Sequence, residues 1–292
     1  MTFPEKICIS HLSDIHFAFL RSHPSSWLNK RLKGLLRILS GSVNFKTQRI
    51  HQLAPLLKQK GVNHAFITGD LTLTATPYEF KQALSFIKTF QKQKINVDIL
   101  PGNHDYYTTD SFQKNLFYHT FPNIDLQRNK VYIKQLTHNW FWIGLDCTYC
   151  NKWNTAHGLY SFSIDQQLRS ILSSLPNSAK VIIGNHFPVL PGKKASHDLL
   201  GFDLLQKTLK EFSTIKLYLH GHNHNGSIID KRKESFPIII DAGSATLISK
   251  SSFFIIHLSI NEMKIEQFTI NNLDKLDTPL SLSAIPITTF ST

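Results

Sequence analysis

Five short apolar runs in this 292-residue chain each stop at a turn carrying Asp, Asn or His, and that recurrence constrains the fold more than any other feature. The central instance is Gly102-Asn103-His104-Asp105, which leaves the run Val97–Leu100 through the breaker Pro101-Gly102. Open α/β sheets place ligand chemistry at turns that leave the carboxyl ends of parallel strands. Taken alone, Gly-Asn-His-Asp is an ordinary polar turn. The arrangement recurs, however. Ile7–Ser13 runs into Asp14-Ile15-His16, Asn63–Thr68 into Gly69-Asp70, Lys180–Asn185 into His186, and Lys216–His220 into Gly221-His222-Asn223-His224.

Between these runs, Thr47–Lys60 (closed by Gly61), Pro77–Phe90, Asp110–His119 and Ile164–Leu175 read as helices. Strand, turn and helix in repetition predict an α/β fold of parallel strands with crossover helices. Val131–Leu136 and Trp140–Leu145 read as neighbouring strands about the turn Thr137-His138-Asn139, and Pro237–Asp241, Phe253–Ile260 and Lys264–Ile270 as closing strands. One domain over 1–270 follows, with a Ser/Thr/Pro-rich surface tail over 271–292. An insertion occupies about 21–43. Within it, Trp27–Leu39 sets Leu28, Leu32, Leu35, Leu36 and Leu39 opposite Lys30, Lys33 and Arg37. That is the pattern of a basic amphipathic helix, which packs on the body, lids the site or lies on a lipid surface.

Charge is uneven: the formal net charge is +12, and no Asp or Glu lies between Asp14 and Asp70. Such asymmetry suits an anionic partner, whether nucleotide, nucleic acid or membrane surface, or simply a solvated basic face. With 41% apolar and 18% charged residues, the chain is neither disordered nor fibrous. Met1–Ser10 has no long apolar segment, and no run of about 18 apolar residues occurs, so a cytoplasmic protein is expected, with peripheral association with anionic membrane through 27–39 as an option. Three cysteines make no disulfide framework, and Cys147 and Cys150 read as reduced thiols in a loop.

Asp14, His16, Asp70, Asn103, His104, His186, His222 and His224 together offer carboxylate, amide oxygen and imidazole, with no thiolate. That donor set suits Mn, Fe or Zn and is too imidazole-rich for a Ca or Mg cage. It is large enough for two metals, with the carboxylate of Asp70 as the natural bridge. A pair about 3.5–4 Å apart clamps attacking and substrate oxygens at phosphorus and acidifies water, so no protein nucleophile is needed. The other ten histidines read as ordinary core or surface residues.

The ordered set Asp14-x-His16, Gly69-Asp70, Gly102-Asn103-His104-Asp105, His186 and Gly221-His222-x-His224 resembles the calcineurin-like metallophosphoesterase superfamily, with no element missing. The intact third and fifth elements, with Gly158-Leu159 and Gln167-Leu168, are similar to the branch containing bacterial cyclic-nucleotide phosphodiesterases. The resemblance implies a four-layer αββα sandwich. It implies that Asp14, His16, Asp70 and His224 hold a first metal, and that Asp70, Asn103, His186 and His222 hold a second. His104 and Asp105 would be the catalytic pair, His104 protonating the leaving oxygen or orienting substrate and Asp105 supporting it. The family's metals are typically Fe, Mn, Zn or Co. The expected activity is therefore hydrolysis of a phosphodiester or pyrophosphate in a small-molecule substrate, with nucleotide-like diesters favoured. The alternatives are a peripheral membrane pyrophosphatase on a lipid-linked substrate such as UDP-diacylglucosamine, a nuclease, or a binding protein on the same fold without turnover.

Overall fold

Three of the apolar runs line up side by side, parallel to one another: β1 (Ile7–Leu12), β2 (His64–Ile67) and β3 (Asn96–Ile99). The computed structural model describes residues 3–19, 32, 36, 40, 44–152, 154–192, 194–275, 277–285 and 288–291. In sequence order, β4 (Val131–Gln135) and β5 (Trp140–Leu145) follow as an antiparallel pair. Strand β5 then pairs parallel to β7 (Lys180–Gly184), and β7 to β9 (Ile215–His220). Next to β9 lies the parallel β11 (Ile238–Asp241), edged by antiparallel β10 (Ser227–Asp230). The short strands β6 (Gly158–Leu159) and β8 (Leu199–Leu200) pair apart from this sheet. On the other side of β1, the antiparallel strands β12 (Phe253–Leu258) and β13 (Glu262–Asn271) extend the first sheet.

The two large sheets share one core. Phe66 of β2 stacks on Trp142 of β5 with ring centroids 3.8 Å apart and planes 4° from parallel. A side chain at Gly184 would collide with that indole, so glycine is what lets Trp142 lie flat there. Helices flank the sheets. Leu53 and Leu57 of α1 (Leu53–Gln59) and Phe86 and Phe90 of α2 (Pro77–Lys92) join the core of the first sheet. Leu168 and Leu172 of α6 (Phe162–Ser174) and Leu205 and Leu209 of α7 (Phe202–Glu211) cover Ile143, Val181 and Ile183 of the second. This is the mixed α/β architecture expected from the strand and helix repeat.

Local chemistry sets the helix bounds. Helix α2 starts where Pro77 follows a capping box, the Thr76 hydroxyl accepting from the Glu79 N–H while the Glu79 carboxylate accepts from the Thr76 N–H. The helix expected over Thr47–Lys60 is shorter, a 3-10 turn at Ile50–Gln52 leading into α1. The stretch Asp110–His119 is broken into α3 (Thr109–Gln113) and α4 (Leu116–Thr120) by Asn115, whose φ of 49° is left-handed, and α5 (Ile124–Asn129) follows.

Within 271–292, expected as a surface tail, the described residues include two strands. Strands β14 (Ser281–Ala284) and β15 (Thr288–Ser291) both pair antiparallel with β13, and the Arg49 guanidinium donates to the carbonyls of Asn272, Lys275 and Thr278. Ser/Thr-rich composition hides such strands, because an open sheet edge supplies backbone hydrogen bonds whatever the side chains. The amphipathic helix expected over Trp27–Leu39 lies outside the described residues apart from Leu32 and Leu36, both helical, with Leu36 55% exposed. No helix among the described residues is long and apolar enough to cross a membrane. All three cysteines are free thiols, as expected.

Candidate metal centre

The chain after β1 keeps its ladder with the chain after β2 beyond the strands themselves. Asp14 N–H donates to the Gly69 carbonyl and His16 N–H to the Asp70 carbonyl, both at 3.0 Å. Asp14, His16, Asp70, His222 and His224 all have φ between 51° and 70°. Left-handed backbone is costly for residues with a Cβ, and such residues gather at functional sites. Two motif glycines are required by close approach. A Cβ on Gly102 would strike the Asp70 backbone nitrogen and carboxylate, and one on Gly221 would strike the Ser13 hydroxyl and the Asp14 carboxylate.

These turns, which leave the carboxyl ends of β1, β2 and β3 in one sheet and β7 and β9 in the other, bring all seven expected ligands together in two adjoining groups. In the first, Asp14 Oδ1 is 2.8 Å from His224 Nε2 and 3.4 Å from His16 Nε2. In the second, His186 Nε2 is 3.1 Å from Asn103 Oδ1 and 3.3 Å from His222 Nδ1. Asp70 stands between them, its Oδ2 3.4 Å from His186 Nε2 and 3.7 Å from His16 Nε2.

The outward ring nitrogens have partners of their own. His16 Nδ1–H donates to the Thr72 carbonyl at 3.3 Å, His186 Nδ1–H to the Thr68 carbonyl at 2.7 Å, and His222 Nε2–H to the His197 carbonyl at 3.0 Å. Each bond fixes a tautomer and turns the other nitrogen inward, as metal-ligating histidines require. Inward-facing carboxylate, amide oxygen and imidazole in this number fit a pair of borderline cations.

Electrostatics point the same way. Burial works to raise the Asp14 and Asp70 carboxyls, yet the imidazoles hold both well below their ordinary range, His224 chiefly for Asp14 and His186 for Asp70. Burial works to lower His186, but the Asp70 carboxylate pushes it up to about 9. His222 is driven down, by burial and then by the charge of His186. The carboxylates thus stay ionised, and a cation binding beside His186 would displace its proton.

The candidate catalytic pair divides. His104 lines the cleft, its Nδ1–H donating to the Leu73 carbonyl at 2.6 Å and its ring stacked on Tyr107. Asp105 is fully buried beneath it. Its carboxylate accepts from Gly102 N–H (3.0 Å), Leu71 N–H (3.3 Å), Thr72 N–H (2.9 Å) and the Thr72 hydroxyl (3.0 Å), tying the turns after β2 and β3 together. Burial and the charge of Asp70 push this carboxyl up to about 7, against donors that favour the carboxylate.

Several further cleft residues carried no sequence motif. Phe45 packs on His16 with ring centroids 4.3 Å apart, and Tyr107, Lys194 and His197 line the same cavity of about 360 Å³. Phe45, Tyr107 and Lys194 lie outside regular helices and strands and His197 ends a short 3-10 turn (Ala195–His197), where neither periodicity nor spacing marks a role.

A family model for calcineurin-like phosphoesterases matches residues 9–226, a span containing every ligand turn. Among solved structures, a dimetal phosphatase from Danio rerio is similar over 89% of this chain and 95% of its own, with a TM-score of 0.66 and 14% identity. PhoD aligns over 99% of this chain and 70% of its own, with a TM-score of 0.63 and 8% identity. A purple acid phosphatase from yellow lupin (Lupinus luteus) seeds aligns over 95% of this chain and 53% of its own, with a TM-score of 0.56 and 9% identity. These likenesses are of fold. No curated protein matches the sequence significantly. The family match and the two donor groups about Asp70 together indicate a dinuclear metal site. The chain therefore belongs to the calcineurin-like phosphoesterase family and is a metal-dependent phosphoester hydrolase.

Proposed function

We propose that this hydrolase acts on small, nucleotide-like phosphodiesters with two Mn, Fe or Zn ions. The observation that carries the reading is the place of Asp70 Oδ2, within 3.7 Å of an imidazole nitrogen from each donor group. In this reading Asp14, His16, Asp70 and His224 hold one cation, and Asp70, Asn103, His186 and His222 the other. The pair supplies Lewis-acid activation of water and of the phosphoryl oxygens.

The protein's own groups do the rest. His104 acts in its imidazolium form: Nδ1–H stays on the Leu73 carbonyl, Nε2–H gives its proton to the departing alkoxide, and the ring is left neutral. Tyr107 holds that ring by stacking, so the proton is delivered along one direction. Asp105 positions the turns bearing Asp70 and His104 and touches no substrate. Phe45, Leu73 and Leu247 give the cleft apolar flanks, and Lys194 is the one Lys or Arg among its described lining residues.

The test is elemental analysis of active enzyme beside turnover of bis(nitrophenyl) phosphate and nitrophenyl phosphate. Two metals per chain, activity lost on chelation and preference for the diester are expected. One metal per active chain overturns the dinuclear assignment, and preference for the monoester overturns the substrate class.

A further inference from the structure

Beside the metal cleft lies a second cavity, of about 550 Å³, which shares Lys194, His197 and Asn223 with it. None of the roles assigned above uses its floor, which includes His220 and Asp241, register partners on the parallel strands β9 and β11. Both are more than nine-tenths buried. The Asp241 carboxylate accepts from the Gly243 N–H at 2.8 Å and the Asn225 N–H at 3.3 Å. Four lone-pair positions on a carboxylate leave it further capacity. His220 Nδ1–H donates to the Gly221 carbonyl at 2.8 Å, and no hydrogen bond is found at its Nε2 among the described residues. Leu190, Pro191, Ile229 and Ile239 form apolar walls.

We infer that this cavity is a specificity pocket for the hydroxyl-bearing alcohol of the substrate, a ribose or similar polyol esterified at the phosphate held by the metals. This inference rests on the phosphodiesterase reading. Two buried polar side chains side by side, the Asp241 carboxyl group and the His220 imidazole edge at Nε2, face a cavity lined with further polar groups and suit a ligand rich in hydroxyls. The apolar walls cover the carbon face of the sugar or a base attached to it. The turn containing Lys194 and His197 divides the two cavities and is fastened to the metal centre by His222 Nε2–H on the His197 carbonyl. A ligand straddling that turn has its phosphate over the metals and its polyol in the pocket.

Two nitrophenyl diesters with the same leaving group separate recognition from chemistry: the nitrophenyl ester of uridine monophosphate, and bis(nitrophenyl) phosphate. Ile229→Trp fills the pocket from a residue that is 40% exposed, and Asp241→Asn replaces one carboxyl oxygen with an amide nitrogen. Each variant is expected to raise KM for the uridine ester at least about tenfold more than KM for the aryl diester, as loss of hydrogen-bonded recognition does. Calorimetric titration with uridine monophosphate reads the same pocket without turnover, and at least about tenfold weaker binding is expected in Ile229→Trp, or about 1.4 kcal/mol. Parallel KM changes for the two esters, or uridine monophosphate binding indifferent to Ile229→Trp, overturn the pocket. A wild-type enzyme that hydrolyses neither ester, yet binds uridine monophosphate in an Ile229-dependent way, overturns the diesterase reading and keeps the pocket.

Discussion

The main-chain N–H of His104 donates to Asp70 Oδ1 at 2.7 Å, which leaves Asp70 Oδ2 as the oxygen that faces both donor groups. The proposed acid and the proposed bridge are thereby fixed to each other through backbone, without a side chain between them.

Asp70→Asn is expected to cost more activity than His16→Ala or His224→Ala, and more than the roughly 10–100-fold that outer ligand partners cost. An amide cannot neutralise two cations at once, so metal content should fall from two. Elemental analysis and kcat at saturating metal check this. A consistently larger loss at His16 or His224 removes Asp70 from the bridging position.

His104→Ala should lower turnover of an alkyl diester by about two to four orders of magnitude while metal content holds, the range for a lost general acid. With a nitrophenolate leaving group the loss should shrink, because that oxygen departs without a proton. Equal losses for both substrates would make His104 a binding group instead.

Asp105→Ala strands the N–H groups of Gly102, Leu71 and Thr72 in a buried site. Unfolding in urea should show a loss on the order of 3 kcal/mol, since one unsatisfied buried group alone costs about 1–3 kcal/mol. Metal affinity should fall as well, because the two turns lose their common anchor.

Acid stability has a separate source, on β3. Burial works to raise the Asp98 carboxyl, yet His64, Lys134 at 2.9 Å and the Tyr132 hydroxyl at 2.8 Å surround it, and it is held down at about 2 against an ordinary 3.8. A depressed carboxylate stabilises the fold above its unfolded value, and that contribution is lost as pH falls from about 4 through about 2. Asp98→Asn should therefore cost about 2 kcal/mol at neutral pH and flatten the stability curve between those limits. Denaturation midpoints measured across that range check it.

The sequence was most legible where chemistry and chain punctuation coincide. Gly102-Asn103-His104-Asp105 and Gly221-His222-Asn223-His224 could be read because each needs a glycine for close packing and donors at fixed offsets from it. Helix α2 was legible for a similar reason, with Pro77 marking its start locally. The break at Asn115 left no such mark, since a left-handed asparagine has no obligatory neighbour. Strands β14 and β15 were hidden because their stability lies in β13, not in their own residues. Phe45 and Lys194 reach the cleft from irregular chain, and only the assembled turns show where they point. The cavity over His220 and Asp241 belongs to the pairing of β9 with β11, a relation that linear order does not contain.

The five left-handed residues of the metal turns set thermal robustness against chemistry. Each holds a conformation that costs a side-chain-bearing residue about 1–3 kcal/mol and glycine almost nothing. Selection for a sturdier fold alone would replace Asp14, His16, Asp70, His222 and His224 with glycine, and every such gain would delete a donor atom. Design procedures that reward folding stability alone will therefore tend to erode this centre, and libraries built on this scaffold should hold those five positions constant.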